Sequence, residues 1–325
     1  MKQMHYQFVI FGSSSEFMRA AYADIDTYDG ATYLYKNLET ESKVKKALFR
    51  FHNSKKINSI MNLPYKSVWF NDLTPELNKH DYICFLFFAG GTRFNAIKDG
   101  YIEYLRDNYP NGRIVCFYQD LVSLKRNVSV QEIKEKCDLV LSFDQNDCYK
   151  YGLTYYPLVY SSSNIDVTDI SNDVYFVGKA KDRLEDILDA YSFLRDSGLK
   201  CDFNIVGVDL REQKYPNEIN YCEPMSYADN IKHILSSKSI LEIMQQTGTG
   251  YTLRTCEAIA NDRLLITNNA EVQQAPFYDP KLIITFDRPS KIDVGVVRNA
   301  NIPVDYRYKQ ELSPIRLLQF IDSQL

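Results

Sequence analysis

The chain of 325 residues has no long apolar segment. Its longest apolar run, Tyr82 to Ala89, falls far short of the ~20 residues that a membrane-spanning helix needs. The N-terminus runs directly into an apolar strand at 8–11, without the apolar core and small-residue cleavage site of a signal peptide. We therefore expect a cytoplasmic protein without a transmembrane segment.

Metal and disulfide patterns are also scarce. The seven cysteines are odd in number and form no Cys-x-x-Cys pair, and the four histidines are dispersed along the chain. Neither a disulfide framework nor a metal cluster is expected from such spacing. The formal net charge of −4 argues against a general nucleic-acid-binding surface, so any basic function must be local.

Short apolar runs alternate with helical patterns in both halves of the chain. The strand-like runs lie at 8–11, 82–88, 114–118 and 139–143, and then at 174–177, 203–206, 240–244, 264–267 and 282–285. Buried strands that alternate with helices predict parallel sheets covered on both faces. We predict an α/β protein with two Rossmann-like domains facing a cleft, a plan that suits this length.

The domain boundaries follow from a polar stretch and a final helix pattern. Ser161 to Asn164 reads as a linker, so the domains are predicted at 1–160 and 161–304. Residues 305–325 contain Ser313-Pro314 followed by an apolar stripe, which is typical of a helix start. This helix is expected to cross back to the first domain.

The segment 239–269 carries the strongest functional pattern. An apolar strand is followed by a loop with Gly248 and Gly250, a short helix with Arg254 and Glu257, and a second apolar strand. This order places loop amides, a guanidinium and a carboxylate at the carboxyl edge of a parallel sheet, where such sheets bind nucleotides and phosphates.

This segment resembles the sugar-donor loop of the GT-B glycosyltransferases, in which a glycine-rich turn precedes a helix that begins with Glu-Ala. It is similar to retaining, family-4-like enzymes. Those enzymes carry another glutamate eight positions before the position of Glu257, and this chain has Thr249 there. The resemblance implies that Glu257 accepts hydrogen bonds from the ribose of a nucleotide sugar, while Gly250, Tyr251 and Thr252 recognise the sugar. The alternative is that Glu257 is an ordinary helix-start carboxylate.

A second basic turn lies at 178–183. Gly178, Lys179 and Arg183 stand where a strand meets a helix, and backbone amides, the helix dipole and cations there suit a diphosphate. Retaining GT-B enzymes have a basic pair at about this place, so Lys179 and Arg183 are predicted to bind the diphosphate together with Arg254. Ordinary surface cations remain the alternative. Gly207 and Tyr221 flank the predicted place of the nucleobase.

The first domain is predicted to bind the acceptor through loops that follow its strands. The residues assigned to this role are Gly12, Ser13, Gly90, Gly91 and Arg93. An inverting enzyme would need a base, for which Asp120 is the first choice, whereas a retaining enzyme would need none. A retaining mechanism is favoured. Because no Asp-x-Asp dyad follows an apolar strand, we expect a metal-independent enzyme with no cofactor besides its nucleotide-sugar substrate.

The stretch 36–56 holds seven cations against Glu39 and Glu41 in an otherwise acidic protein. Within it, 43–56 forms a basic amphipathic pattern that predicts contact with an anionic membrane surface, with the protein peripheral at the inner face of the plasma membrane. The alternative is a solvated helix that packs normally through its apolar residues, which include Val44, Leu48 and Phe51.

The resemblance implies a glycosyltransferase that uses a nucleotide diphosphate sugar and a saccharide or lipid-linked acceptor. The segment 142–157 is also similar to bacterial glycosyltransferases that assemble capsule, O-antigen or exopolysaccharide, although Asp144 and Asp147 there could simply cap a helix. An epimerase or dehydrogenase is disfavoured because Gly12-Ser-Ser-Ser does not supply the Gly-x-Gly-x-x-Gly turn. A catalytically silent nucleotide- or sugar-binding protein of the same fold remains the alternative.

Overall fold

The structure is a computed structural model, and it describes residues 5–13, 15–36, 38, 40, 42–61, 63–90, 92–122, 128–162, 169–245 and 250–325. For Lys55, Ser59 and Thr92 only the backbone is described. Several residues of the sequence-based predictions lie outside the described residues: Gly91, Ser163, Asn164, Gly248 and Thr249.

The described strands form two parallel sheets of six strands each. The first sheet contains β1 (Gln7–Phe11), β2 (Ala31–Leu34), β3 (Ile83–Phe88), β4 (Arg113–Tyr118), β5 (Leu139–Ser142) and β6 (Thr154–Tyr155). The second contains β7 (Asn172–Lys179), β8 (Cys201–Val206), β9 (Asn220–Cys222), β10 (Ser237–Glu242), β11 (Leu264–Thr267) and β12 (Ile283–Thr285). Their spatial orders are β2-β1-β3-β4-β5-β6 and β12-β11-β10-β7-β8-β9.

Helices lie in most of the crossover connections that parallel pairing requires, although β8 and β9 are joined by residues 207–219 without one. In chain order they are α1 (Glu16–Ala21), α2 (Lys43–His52), α3 (Lys55–Ile60), α4 (Phe70–Leu73), α5 (Thr92–Asn95), α6 (Tyr101–Asn108), α7 (Val130–Lys136), α8 (Gln145–Tyr151), α9 (Leu184–Asp196), α10 (Tyr227–Leu235), α11 (Leu253–Ala260), α12 (Val294–Asn299), α13 (Lys309–Leu312) and α14 (Pro314–Gln324). Short 3₁₀ turns lie at Ala23–Thr27, Lys66–Trp69, Ala96–Asp99, Lys181–Arg183, Ala270–Gln274 and Pro289–Lys291. Among the described residues, none of the helices is both long and apolar enough to cross a bilayer.

The apolar composition of the strands explains the parallel sheets. All six residues of β3, Ile83–Phe88, are buried, which fits a central strand covered on both faces. Its neighbours continue the buried layer, since Val9 pairs with Phe85 and Phe85 with Ile114. The predicted α/β class with two Rossmann-like sheets is confirmed.

The chain divides into two compact units. Unit 1 comprises Met1–Tyr156 and Pro314–Leu325, and unit 2 comprises Pro157–Ser313. The division thus falls a few residues before the predicted boundary, and Ser161, which was predicted to begin a linker, is buried. In unit 1, the Asp322 carboxylate of α14 accepts hydrogen bonds from the backbone N–H groups of His5 and Tyr6, at 2.8 and 2.9 Å.

Each sheet contains one topological switch point, where successive strands begin to add on the opposite side. In unit 1 it lies between β1 and β3, and in unit 2 it lies between β7 and β10. Open parallel sheets bind ligands outside the carboxyl ends of the strands at such points. The topology therefore selects the loops after these four strands as candidate binding loops.

Candidate functional site

The unit 2 switch point is spanned by Arg183. Its Nη1 donates to the carbonyl of Ile243, just after β10, and its Nη2 donates to the carbonyl of Lys179, the last residue of β7, at 3.4 Å. A second link joins the same two loops, because Lys181 Nζ donates to Gln245 Oε1 at 2.8 Å. The basic turn predicted from the sequence therefore lies directly at the switch point.

The environment of Arg183 favours an anion. Its Nε is buried and has no hydrogen-bond partner among the described residues. Burial, and then the like charge of Arg254, lower the pKa of Arg183 below its ordinary value. A bound anion would relieve both effects, because it would supply an acceptor and a neutralising charge. A Cβ at position 178 would lie 3.1 Å from Arg183 Nη2, so a side chain there would push this guanidinium by a few tenths of an ångström. Lys179 is exposed.

Arg254 lies in the first turn of α11. Thr252 caps this helix, and its Oγ1 accepts a hydrogen bond from the backbone N–H of Arg254 at 3.0 Å. The Arg254 side chain is 23% exposed and pairs with Glu257 through Nη1. Burial is the largest single effect and lowers the pKa of Arg254, but the charge and hydrogen bond of Glu257, together with Tyr175 and Tyr227, raise that pKa above its ordinary value. Arg254 thus stays charged and remains accessible at a helix N-terminus.

Glu257 lies within α11 and has no exposed surface. Its Oε1 accepts from the Tyr227 hydroxyl at 2.8 Å and from the Asn230 amide at 3.0 Å, and its Oε2 accepts from Arg254. Burial raises the pKa of Tyr227, and the negative charge of Glu257 raises it further. The Tyr227 hydroxyl therefore stays protonated and donates. Direct recognition of a ribose by Glu257, as the resemblance implied, conflicts with this burial. In this structure Glu257 holds Arg254 in place.

The network around Glu257 continues through two more tyrosines. Tyr175, on β7, donates its hydroxyl to Asn230 Oδ1 at 2.9 Å. Because Tyr227 donates its only hydroxyl proton to Glu257, the contact between Tyr160 and Tyr227 requires Tyr160 to be the donor. These bonds connect β7, α10 and α11, so the position of Arg254 depends on residues from three elements.

Glu242 is a site residue that the sequence analysis did not single out. It ends β10 and is only 2% exposed, and its carboxylate accepts hydrogen bonds from the hydroxyls of three threonines. The donors are Thr252, Thr255 and Thr267. Burial lowers the pKa of Arg183, and the negative charges of Asp182 and then of Glu242 oppose this lowering. A carboxylate at the end of an otherwise apolar strand, followed by a threonine-containing loop, was the available signal.

The loop residues predicted to recognise the sugar make internal contacts. The Gly250 N–H donates to Glu271 at 2.8 Å, and its carbonyl accepts from Asn269 at 2.9 Å. Gly250 has a φ of 79°, a conformation that glycine adopts without strain. The Tyr251 ring lies 4.9 Å from that of Phe277, and the Thr252 hydroxyl is used by Glu242. The Gly250 amide and the Thr252 hydroxyl would have to exchange these partners to contact a sugar.

Gly207 and Tyr221 lie on the side of β7 that faces away from β10 in the sheet order, at β8 and β9. Gly207 follows β8 with a φ of 76°, and among the described residues beyond its two chain neighbours no heavy atom lies within 4 Å of where its Cβ would be. The Tyr221 hydroxyl, on β9, donates to the carbonyl of Lys214. Gly207 therefore leaves open space one strand away from the switch point, whereas Tyr221 is two strands away.

In unit 1, three residues assigned to the acceptor follow the strands that form its switch point. Gly12 and Ser13 follow β1, and Gly90 follows β3 with a φ of 101°. No side chain fits at position 12, because a Cβ there would lie 2.0 Å from the ring of Tyr33. Asp120 is exposed after β4, one strand farther along, and its Oδ1 accepts from the N–H of Leu121 at 2.9 Å.

Arg93 does not fit its predicted role in acceptor binding. Its side chain is only 3% exposed, and its Nε donates to the carbonyl of Leu73 at 2.7 Å. The guanidinium lies over the ring of Phe11, 5.2 Å from the centroid. Arg93 therefore stabilises the interior of unit 1 rather than presenting a charge to a ligand.

Asp144 caps α8, with its Oδ1 accepting from the N–H of Asp147 at 2.8 Å, so the capping interpretation holds for this residue. Within the described part of the chain, no group of three or more His, Cys, Asp or Glu residues could hold a metal ion.

Comparison with known proteins gives structural matches but no sequence match. No protein-family model and no curated protein matches the chain. One similar solved structure is an alpha-glucosyltransferase in complex with UDP and a 13-mer DNA containing a central A:G mismatch, at 10% identity and a TM-score of 0.50, covering 99% of this chain and 91% of that one. Another is an alpha-glucosyltransferase in complex with UDP and a 13-mer DNA containing an HMU base, at 11% identity and a TM-score of 0.51, covering 97% and 90%.

Identities this low establish the fold and nothing finer. The two parallel six-stranded sheets and the match along almost the whole chain agree with each other. The chain has the fold of the GT-B glycosyltransferases.

Proposed function

We propose that the protein is a glycosyltransferase that moves a sugar from a nucleoside diphosphate sugar to a saccharide or lipid-linked acceptor. The observation that carries the proposal is the pair of guanidinium groups, Arg183 and Arg254, at the unit 2 switch point. Both groups are positively charged, so they repel each other, and Arg183 Nε has no hydrogen-bond partner among the described residues. A diphosphate would bridge two such cations and stabilise them, and they would neutralise its charge as it leaves the sugar.

The proposed chemistry assigns roles to groups on this chain. Arg183 and Arg254 bind the diphosphate, and exposed Lys179 adds a third cation. Glu257 positions Arg254 through its buried ion pair. A retaining reaction needs no protein base, because a phosphate oxygen of the sugar donor takes the proton of the acceptor hydroxyl. If the reaction inverts the anomeric centre, exposed Asp120 is the candidate base.

Nucleotide binding is the first test. UDP, GDP, ADP and CDP would each be added to the purified protein and thermal unfolding followed, with the corresponding nucleosides and inorganic pyrophosphate as controls. A ligand at ~100 times its dissociation constant stabilises the folded protein by about 2.7 kcal/mol. We expect at least one diphosphate, with UDP the first candidate because the similar structures contain it, to raise the unfolding temperature more than its nucleoside. If no diphosphate does so, the proposal is wrong.

Catalysis is separated from binding by product detection. The absence of a glutamate at position 249 leaves open the alternative of a catalytically silent nucleotide- or sugar-binding protein. Release of nucleoside diphosphate from a labelled nucleotide sugar, with transfer of the label to an acceptor, would exclude that alternative. Binding without release or transfer across a panel of nucleotide sugars and acceptors would support it.

The finer proposal is a role in bacterial capsule, O-antigen or exopolysaccharide synthesis at the cytoplasmic face of the membrane. Its support is the resemblance of the segment 142–157 to such enzymes. DNA is the competing acceptor, because the similar structures contain it, but the net charge of −4 disfavours a large basic DNA-binding surface. Transfer of sugar to duplex DNA and not to saccharide or lipid-linked acceptors would contradict the finer proposal.

Metal independence is a separate prediction. Because Arg183 and Arg254 would neutralise the leaving diphosphate, transfer should continue in excess EDTA at about the same rate. Matched reactions with EDTA, with magnesium and with manganese would measure this. A complete loss of turnover in EDTA that either ion restores would contradict the prediction.

A further inference from the structure

Helix α2 presents its apolar residues to solvent. Val44, Leu48 and Phe51 follow the spacing of one helical face, and their side chains are 69%, 56% and 58% exposed. A surface helix normally buries such a stripe against the core. The sequence-based alternative, in which this helix packs through its apolar stripe, is therefore wrong for these three residues.

Other contacts of α2 anchor the helix to unit 1. Phe49 is buried, and its ring meets that of Trp69 edge-on at 5.3 Å. Lys45 forms an ion pair with Asp72, with 2.6 Å between Nζ and Oδ1. Trp69 Nε1 donates to His52 Nδ1 at 2.9 Å. The outward direction of the apolar stripe is thus set by a defined interface on another side of the helix.

The segment after α2 adds more exposed apolar side chains. Ile60, Met61, Tyr65 and Val68 are between 62% and 89% exposed. Seven of the ten exposed large hydrophobic side chains in the described part of the chain lie within residues 44–68. Single exposed hydrophobic residues are normal, but a concentration of them indicates a binding surface.

This segment is tied to the end of α2. The Asn58 amide donates to the carbonyl of His52 at 2.9 Å, and its Oδ1 accepts from the N–H of Leu63 at 3.1 Å. His52 Nε2 donates to the carbonyl of Pro64 at 2.8 Å, because its Nδ1 is the acceptor for Trp69. We call the described residues of 43–68 the α2–α3 surface.

The charge of this region is uniform. Residues 42–71 contain seven Lys or Arg residues and no Asp or Glu, although the whole chain has a net charge of −4. Lys43 and Arg50 are exposed, whereas Lys45 is engaged by Asp72, and Lys66 is buried beside Asp99. Exposed apolar groups and an excess of cations therefore occur on the same short segment.

We propose that the α2–α3 surface binds an anionic lipid bilayer. Cations are attracted to anionic headgroups, and the exposed apolar side chains are removed from water at the boundary of the acyl chains. The phosphates of DNA would pair with the cations, but its charged backbone would leave the apolar stripe without an apolar partner. A second copy would bring two surfaces of the same charge together. This proposal does not depend on the proposed function, because it involves no residue of the nucleotide site.

Co-sedimentation with vesicles tests the proposal. We expect the full-length protein to bind vesicles of phosphatidylcholine mixed with phosphatidylglycerol at low salt, and to bind pure phosphatidylcholine much more weakly. The apolar variant Leu48→Ser/Phe51→Ser/Ile60→Ser should weaken binding by more than about a hundredfold. The charge variant Lys43→Gln/Lys46→Gln/Arg50→Gln should weaken it on the order of a hundredfold and reduce its salt dependence. Lys45 is left unchanged because of its ion pair.

The matched control replaces exposed apolar residues elsewhere. Tyr149 and Leu210 are 93% and 85% exposed, so Tyr149→Ser/Leu210→Ser should leave vesicle binding unchanged. Circular dichroism and thermal unfolding would verify the fold of each variant, and nucleotide binding would be measured in parallel. Vesicle binding that fails while nucleotide binding persists overturns this proposal alone.

Three other outcomes also overturn the proposal. The first is an apolar variant that is folded and binds vesicles as the wild type does. The second is a dimer, detected by sedimentation, that the apolar variant dissociates while neither protein binds vesicles. The third is wild-type binding to duplex DNA that exceeds vesicle binding and is unchanged in the apolar variant.

Discussion

Replacing Arg254 with alanine is expected to abolish most nucleoside diphosphate binding and also to destabilise unit 2. The loss of a hydrogen-bonded charge contact to the diphosphate should cost about 2–5 kcal/mol of binding free energy, which corresponds to a loss of affinity between about thirtyfold and several thousandfold. The second effect arises because Glu257 has no exposed surface and loses its cation. An unpaired buried charge typically costs about 3–5 kcal/mol of unfolding free energy.

A second variant separates binding from stability. In Arg254→Ala/Glu257→Gln both charges are removed, so unfolding in urea should require more denaturant than for Arg254→Ala alone, while diphosphate binding stays lost. Arg183→Ala should also lose binding, with a smaller stability cost, because its partners are backbone carbonyls. Exposed Arg211 provides the control, and Arg211→Ala should change neither quantity.

Isothermal titration calorimetry with the diphosphate identified in the nucleotide screen would give the affinities. Unchanged affinity in a folded double variant would mean that Arg254 does not bind the diphosphate. A stability of Arg254→Ala equal to that of the wild type would mean that Glu257 does not depend on Arg254. Lys179→Ala should reduce the affinity less than either arginine variant, since an exposed cation is screened by solvent.

The strands that could be predicted from the sequence are those with nearly continuous apolar residues. The run at 264–267 coincides with β11, and the run at 82–88 contains β3, because buried parallel strands require nearly continuous apolar residues. The strands β2, β6 and β9 were not predicted. They have two to four residues and contain no residue with less than 5% exposure. Pairing with a neighbouring strand, which the local sequence does not encode, defines them.

The part of the candidate site that lies at the ends of apolar strands could be predicted from the sequence. Arg183 and Arg254 could be placed at one sheet edge because each follows a recognisable apolar strand. The burial of Arg93 could not be predicted, since the residues around it, Phe11 and Leu73, are distant in sequence. The same holds for α2: its periodicity predicted an apolar stripe, but Phe49 and Trp69 decide which side faces the core.

Glu242 illustrates the same limit and leads to the second large prediction. Its strand was predicted, but its hydrogen-bond donors come from a helix cap, the first turn of α11 and the neighbouring strand β11. The buried Glu242 carboxylate accepts hydrogen bonds from three hydroxyl groups and so links the end of β10 to the start of α11. Glu242 is therefore expected to be a positioning residue for Thr252 and, through the helix cap, for Arg254.

Glu242→Ala should lower the free energy of unfolding by about 3 kcal/mol or more, because it leaves buried threonine hydroxyls without their acceptor. It should also weaken diphosphate binding, since the first turn of α11 loses its attachment to β10. Glu271 provides a matched control: it is exposed and accepts a hydrogen bond from Gly250 at 2.8 Å. Glu271→Ala should change the free energy of unfolding by less than about 1 kcal/mol.

A double-mutant cycle tests whether the effect of Glu242 passes through the helix cap. If Glu242 acts by holding Thr252, then Thr252→Val should weaken diphosphate binding in the wild type and weaken it much less in the Glu242→Gln background. Urea unfolding would be measured for all four proteins beside the calorimetric affinities. Additive effects on affinity would show that the two residues act independently. A folded Glu242→Gln variant with wild-type affinity and stability would contradict the positioning role, because the buried carboxylate could then be removed without moving Arg254.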